Sequence, residues 1–212
     1  NILDSIAKIC IKYNIDIITG LTELDVMDKI QYYNSCIWMS NEGKLRTIYR
    51  KTHLWGKWEH QTWDPYTSYN NTEYKIIECY GLKFGLLICF DIEFCEPSRI
   101  LALNGCDCIF VPTALMINDS ETNTELNITD IFPQCRAAEN TIYIVHINFP
   151  NPQFCGNSSI SAPNGQKIAN AGVGDELLIC ELNPKKYNSY RKRNDYLNLR
   201  RPELYRNLVC KL

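Results

Sequence analysis

The sequence lacks the features that mark several large classes of protein. Its longest apolar runs are too short to span a bilayer. It contains no glycine-rich loop of the phosphate-binding or dinucleotide-binding kind. Its 3 histidines are scattered, with no pair at metal-ligand spacing, so we expect neither a metal nor a cofactor. A net charge of −2 gives no general attraction to nucleic acid or to an anionic membrane surface, so neither is expected as a partner.

Cysteine, by contrast, is abundant, with 11 residues in a chain of 212. The number is odd, so the cysteines cannot all pair internally. A chain of this length can bury a sizeable core and does not need disulfide staples. We therefore predict reduced, mostly buried cysteines in a cytoplasmic protein. A secreted protein remains the alternative, because Asn70, Asn118, Asn127 and Asn157 match the glycosylation pattern N-x-S/T.

Helical and strand patterns alternate along the chain. Apolar spacing predicts helices over 3–13, from Glu96 to Gly105, and over 129–140. Strands are predicted at 16–20, 33–40, 45–49, 74–78, 84–90, 108–111, 141–147, 158–162 and 177–182. Long apolar strands and alternating strands occur together with helices, which favours one α/β layered domain with a large mixed sheet.

The segment from Phe84 to Asp91 carries the first candidate for chemistry. Five residues, Phe84 to Ile88, read as a strand that delivers Cys89 at its C-terminal end, before a turn into a helix. This arrangement is typical of a nucleophile elbow, in which a thiol projects from a rigid turn beside backbone N–H groups. Taken alone, a cysteine at a strand end is more often part of the core.

Lys51 and Glu59 are the second and third candidates. Lys51 lies in Tyr49-Arg50-Lys51-Thr52-His53-Leu54, between a strand and an aromatic loop. Its ammonium could stabilise an oxyanion and lower the pKa of a nearby thiol. The Glu59 carboxylate could orient that lysine or relay protons. A solvated surface position is the alternative for both side chains.

In this order, the three segments resemble the carbon–nitrogen hydrolase family, also called the nitrilase superfamily. The resemblance continues through most of the chain, in Glu96-Pro97-Ser98-Arg99, Val111-Pro112-Thr113-Ala114, Arg136-Ala137-Ala138-Glu139-Asn140, Gly156-Asn157-Ser158-Ser159-Ile160 and Arg200-Arg201-Pro202-Glu203. It implies an α/β fold, the α-β-β-α sandwich of the nitrilase type, with residues 1–212 forming one domain. It also implies that residues 185–212 form a C-terminal oligomerisation tail.

The resemblance implies a catalytic set of glutamate, lysine and cysteine that works through a thioester. Carried onto this chain, Cys89 is the nucleophile, Lys51 the oxyanion stabiliser and Glu59 a supporting glutamate. The backbone N–H of Phe90 is an oxyanion donor. Thr113 and Ala114 lie on a loop that lines the substrate pocket.

One element of the family pattern has no counterpart here. The family's first glutamate, its general base, lies in an F-P-E segment that would precede residue 1. Glu23, in Gly20-Leu21-Thr22-Glu23, fits a later strand end instead. We therefore expect an N-terminally incomplete domain, doubtful activity of this fragment and an exposed sheet edge.

These observations favour an amidase that hydrolyses a small-molecule carboxamide, because C-F-D-I-E-F followed by P-T-A-L-M resembles the amidase branches. An N-carbamoyl hydrolase and a nitrilase are the enzymatic alternatives. A catalytically silent homologue that acts as an interaction or oligomerisation module is another. A thiol redox protein that uses Cys89 and Cys95 is a further alternative. A homo-oligomer, a dimer or larger, is expected because the aromatic tail is too apolar to be left in water.

Overall fold

The computed structural model describes residues 1–26, 29–66, 74–116, 128–150 and 152–210. Three of the four glycosylation-like asparagines, Asn70, Asn118 and Asn127, lie outside the described residues. Within the described part of the chain, no helix is both long and apolar enough to cross a bilayer.

Two β-sheets form the middle of the fold. One has three antiparallel strands in the order β1 (Ile17–Asp25), β2 (Gln31–Met39) and β3 (Leu45–Arg50). The other is mixed and has six strands in chain order: β4 (Ile77–Cys79), β5 (Leu82–Leu86), β6 (Cys108–Thr113), β7 (Tyr143–Asn148), β8 (Ser159–Ser161) and β9 (Lys167–Asn170). Strands β5, β6 and β7 run parallel, so their C-terminal ends share one edge. The expected hairpin of β2 and β3 is confirmed.

The two sheets face each other through an aromatic core. The ring of Trp38 on β2 meets the rings of Phe84 and Phe110 edge-on, at centroid distances of 5.2 and 5.8 Å. Side chains alternate between the two faces of a strand. The residues next to these aromatic rings therefore point outward, towards the helical layers.

The described chain contains five α-helices. These are α1 (Ile2–Tyr13), α2 (Gly56–Thr62), α3 (Cys95–Leu103), α4 (Ile128–Asn140) and α5 (Asn188–Arg193). Helix α1 packs on the three-stranded sheet, where the thiol of Cys10 reaches the Met39 carbonyl. Helix α3 lies so close to β5 that a Cβ at Gly85 would meet Leu101 at 2.8 Å. The layers are those of the expected α-β-β-α sandwich.

Two strand predictions were wrong in their bounds or existence. Strand β5 ends at Leu86, and Cys89 begins a 3₁₀ helix, Cys89–Glu93, instead of closing a strand over 84–90. Residues 177–182 form no strand, since Leu177 and Ile179 are each 85% exposed and have no sheet to pack on. Strand β1 pairs with β2 alone among the described strands.

Candidate active site

The backbone at Cys89 makes a sharp turn. Ile88 is extended, with φ of −128°, whereas Cys89 has φ of +48°. Positive φ is uncommon for a residue with a side chain, and such strain is concentrated at functional sites. Because of this turn, the chain no longer follows the direction of β5 at Cys89, and the cysteine is partly exposed. This is the geometry of a nucleophile elbow, built three residues beyond the strand end.

Asp91 fixes this turn to the loop that follows β3. Its fully buried carboxylate accepts hydrogen bonds from the Tyr49 hydroxyl (2.8 Å), the Thr52 hydroxyl (3.0 Å) and the backbone N–H groups of His53 (2.9 Å) and Ile88 (3.0 Å). The Nδ1 atom of the His53 ring lies 2.9 Å from the same carboxylate. One side chain therefore sets the position of the lysine segment relative to the cysteine turn.

Lys51 and Glu59 form a buried ion pair beside that turn. Lys51 leaves the end of β3 and is 1% exposed. Its Nζ lies 2.8 Å from Oε1 and 2.7 Å from Oε2 of Glu59, which is held on α2. The backbone N–H of Trp55 donates to Oε2 at 2.6 Å. Both carboxylate oxygens of Glu59 are thus engaged, and the ammonium is held in one place.

The surroundings of Cys89 act on its thiol in opposite directions. Burial raises the pKa of the Cys89 thiol, and the negative charge of Glu59 acts in the same sense. The positive charge of Lys51 and hydrogen bonds from the backbone N–H groups of Ala114 and Phe90 lower it. Burial prevails, so the pKa stays above its ordinary value and the sulfur needs a base to become a thiolate.

The two N–H groups that point at the sulfur belong to residues that the sequence had suggested. Phe90 follows the nucleophile directly. Ala114 follows β6, whose last residue, Thr113, lines the cavity beside Cys89. The structure thus places all six predicted site residues around one turn.

A small, partly open cavity lies beside the sulfur. It is lined by Cys89, Ile92, Glu93, Thr113, Leu115, Pro133 and His146. Sequence reasoning had not assigned a role to Glu93 or His146. The signal for Glu93 was its place in the cysteine motif. His146 is brought to the cavity by the parallel pairing of β6 and β7, in which it lies opposite Val111.

The surroundings of Glu93 and His146 shift the pKa of both side chains. Burial raises the pKa of the half-buried Glu93 carboxyl, and the charges of Lys51 and Arg136 oppose that shift without cancelling it. Burial lowers the pKa of the His146 imidazole to about 4, with a further contribution from the positive charge of Lys167. His146 is therefore neutral at pH 7.

Arg136 on α4 supports the 3₁₀ helix Cys89–Glu93 by hydrogen bonds to its last carbonyls. Its Nε donates to the Ile92 carbonyl at 2.9 Å, and its Nη2 donates to the Glu93 carbonyl at 2.6 Å. Its Nη1 contacts the Glu139 carboxylate at 3.0 Å. The planar guanidinium fork thereby satisfies two carbonyls at the end of a short helix, where intrahelical partners run out.

The described residues contain no group of three or more His, Cys, Asp or Glu side chains arranged to hold a metal ion. All eleven cysteines are free thiols, so Cys89 and Cys95 are not joined. The prediction that most cysteines are buried was wrong, since only four are, Cys10, Cys36, Cys106 and Cys108. The chemistry that this arrangement can perform is nucleophilic attack by a thiol, with a fixed ammonium and backbone N–H groups beside it.

Comparison with known proteins gives consistent results. Residues 1–192 match the family model described as carbon–nitrogen hydrolase. A protein of Pseudomonas protegens described as "Hydrolase in pqqF 5'region" is 38% identical over 182 residues, which cover 84% of this chain and 60% of that protein. An (R)-stereoselective amidase of Pseudomonas sp. is 31% identical over 176 residues, covering 81% of this chain and 60% of the amidase. The chain thus spans about three fifths of the length of these two relatives.

Among solved structures, a mutant of the amidase from Nesterenkonia sp. AN1 aligns with a TM-score of 0.80 at 26% identity. The alignment covers 98% of this chain and 74% of that one. That structure shows the Michael addition of acrylamide at the amidase's active-site cysteine.

Proposed function

The chain belongs to the carbon–nitrogen hydrolase family, and we propose that it hydrolyses small carboxamides through a thioester formed on Cys89. The observation that carries this proposal is the convergence of three groups on one sulfur. Cys89 sits in a strained turn, the positive charge of Lys51 opposes the rise in thiol pKa caused by burial, and two backbone N–H groups point at the sulfur. The amidases among its relatives support the choice of substrate class.

In the proposed reaction, a general base takes the proton of the Cys89 thiol, the sulfur bonds to the amide carbon, and the carbonyl π electrons move onto the oxygen. The Lys51 ammonium and the Phe90 N–H stabilise that oxyanion, because preformed donors in a partly dry site need little reorganisation. The oxyanion then collapses, the carbon–nitrogen bond breaks, and the nitrogen takes the thiol proton from the general base and leaves as ammonia. Water next attacks the thioester, which releases a carboxylic acid and restores the thiol.

Glu59 has an orienting role in this scheme. Its two oxygens already accept hydrogen bonds from the Lys51 ammonium and the Trp55 N–H. A carboxylate so engaged is a poor proton acceptor, because taking the thiol proton would break a buried ion pair. The proposal therefore assigns the general-base role to a group other than Glu59.

We also propose a substrate range, a cellular compartment and an oligomeric state for the protein. The amidase relatives favour hydrolysis over a silent interaction module. N-carbamoyl and nitrile substrates remain enzymatic alternatives, to be tested in the same substrate panel. Eleven free thiols support a reducing compartment such as the cytoplasm. We also propose a homo-oligomer that uses the tail from residue 185 onward.

The test is release of ammonia from a panel of carboxamides, a carbamoyl compound and a nitrile by the natural full-length protein. Cys89→Ala is expected to abolish turnover while circular dichroism and the melting temperature show an intact fold. Cys95→Ala is the matched control, since Cys95 is an exposed cysteine six positions away and should be dispensable. Turnover that survives in Cys89→Ala rules out the proposed nucleophile.

A further inference from the structure

We propose that Glu93 recognises the substrate, and that the preferred amide carries a positively charged, hydrogen-bond-donating group, such as a primary ammonium, on its acyl chain. This inference rests on the proposed amidase function. In a thioester mechanism the acyl chain stays attached to Cys89. It must therefore occupy the space beside the sulfur, and Glu93 is the one acidic side chain that lines that cavity in the described part of the chain.

The Glu93 carboxylate is half-buried and accepts no hydrogen bond from any described residue. A partly desolvated carboxylate without donors is unfavourable, and its raised pKa reflects this. A ligand that brings donors and a positive charge would relieve the penalty. Charge-assisted hydrogen bonds of this kind are among the strongest that proteins make.

The two cations near Glu93 are already committed to other partners. The Lys51 ammonium contacts both oxygens of Glu59. The Arg136 guanidinium donates to two backbone carbonyls and to the Glu139 carboxylate. Neither cation is free to neutralise Glu93 by a direct contact, so the Glu93 carboxyl has no positively charged partner among the described residues.

The rest of the cavity suits the same ligand. His146 is 3% exposed and uncharged at pH 7, so it adds no positive charge that would compete. Its Nδ1 is buried without a hydrogen-bond partner among the described residues. Ile92, Leu115 and Pro133 give apolar walls that match the methylene groups of a short acyl chain. A carboxylate-bearing amide would instead be repelled.

The test compares three amides of matched length with the full-length protein: 4-aminobutanamide, which carries an ammonium; pentanamide, which carries a methyl group in its place; and succinamate, which carries a carboxylate. The same comparison with chains one methylene shorter and longer allows for the depth of the cavity. We expect kcat/KM to be highest for the ammonium compound, by about ten- to a hundredfold over the methyl compound, and lowest for succinamate.

Glu93→Gln should reduce the ammonium-to-methyl ratio of kcat/KM by about ten- to a hundredfold, mainly through KM. Glu93→Arg should reverse the order in favour of succinamate. Glu96→Gln is the matched control, because Glu96 is an exposed glutamate three positions along and should leave the ratio unchanged.

The outcomes separate the two proposals. If pentanamide is hydrolysed as well as 4-aminobutanamide by the wild-type protein, the inference about Glu93 is wrong and the amidase function stands. The same holds if Glu93→Gln keeps the full preference. If no amide of any charge is hydrolysed, the proposed function fails and the inference falls with it. Should the Glu93 variants not fold, competitive inhibition of the wild type by propylammonium but not by propanol decides the same question.

Discussion

At the scale of single residues, the buried pair of Lys51 and Glu59 is the feature with the largest energetic consequence. Lys51 is 1% exposed, so its charge has lost almost all contact with water. Two contacts to Glu59 compensate for that loss. Removing one partner of such a pair leaves the other charged and buried, whereas removing both leaves only a packing defect.

We therefore predict that Lys51→Met and Glu59→Leu each lower the free energy of unfolding by about 3–5 kcal/mol. The double variant should lose much less than the sum of the two, because neither charge is left alone. Urea unfolding of the four proteins measures this coupling. Since every variant that lacks Lys51 also lacks the oxyanion-stabilising ammonium, amide hydrolysis should be absent even where stability returns. Additive losses would show that the two charges do not depend on each other.

His146 gives a second prediction, for the dependence of stability on pH. Burial lowers the pKa of His146 to about 4 in the folded protein, below the ordinary histidine value of about 6.5. The unfolded chain therefore binds a proton at this group first as the pH falls. The folded state is at no disadvantage above pH 6.5, and between pH 6.5 and 4 it loses up to about 3 kcal/mol through this one group.

Urea unfolding at a series of pH values from 7 to 4 checks this expectation. His146→Gln should show a shallower loss of stability across that range than the wild type. His60→Gln is the control, because His60 is exposed on the surface of α2 and its replacement should leave the slope unchanged. An identical slope in the wild type and His146→Gln would contradict a buried neutral imidazole.

The sequence could identify Cys89, Lys51 and Glu59 as candidates because they lie in segments with a recognisable local pattern. It could not identify His146 in the same way. That residue reaches the cavity because β7 pairs with β6 in the register that sets His146 opposite Val111. Such a register depends on contacts between segments far apart in the chain, and a pattern within one segment does not contain it.

At the scale of structural elements, the short 3₁₀ helix Cys89–Glu93 depends on α4. Short 3₁₀ helices have poor internal hydrogen bonds and seldom extend beyond a turn. Here the Arg136 guanidinium holds two of its carbonyls, at 2.9 and 2.6 Å. This 3₁₀ helix carries Cys89 at its first residue and the cavity-lining Glu93 at its last. Arg136 therefore anchors it from α4.

We predict that Arg136→Lys loosens this element, because an ammonium cannot reproduce the planar fork of a guanidinium. Amide hydrogen exchange at residues 89–93 should become faster, while the protection of β6 and β7 is retained. The kcat/KM for amides should fall by about ten- to a hundredfold through the misplaced thiol. Arg193→Lys, at an exposed position on α5, is the matched control. Unchanged exchange at residues 89–93 would mean that Arg136 does not anchor the helix.

The elements also show where prediction from sequence ends. The helix at α1 and the hairpin of β2 and β3 were predicted closely, since their apolar spacing repeats over a full element. Strand β5 was predicted too long because the sequence stays apolar through residues 87–90, whereas the pairing of β5 with β6 ends at Leu86. The backbone then turns at Cys89, where φ is positive. Residues 177–182 have a strand-like composition, but in the described chain no neighbouring strand pairs with them.

At the scale of the whole molecule, apolar surface is left exposed on the C-terminal part of the chain. Leu199, Leu204, Leu208 and Val209 are between 64% and 87% exposed. Isolated apolar side chains on a surface are ordinary, but a run of them within about ten residues is a feature of association sites. Full burial of one leucine contributes about 1.5–3 kcal/mol, so a few of them suffice to favour self-association.

We therefore predict that the full-length protein is a dimer or larger by size-exclusion chromatography with light scattering. Replacing Leu204 and Leu208 together by Asp should shift it towards the monomer, because each change removes apolar contact and places a charge where water would be excluded. The control, Ser189→Asp with Asn207→Asp, adds the same two charges at exposed polar positions of the same tail and should keep the assembly. Circular dichroism must show that both proteins are folded. A monomeric wild-type protein would show that this surface is left in water, and the tail would then need another role.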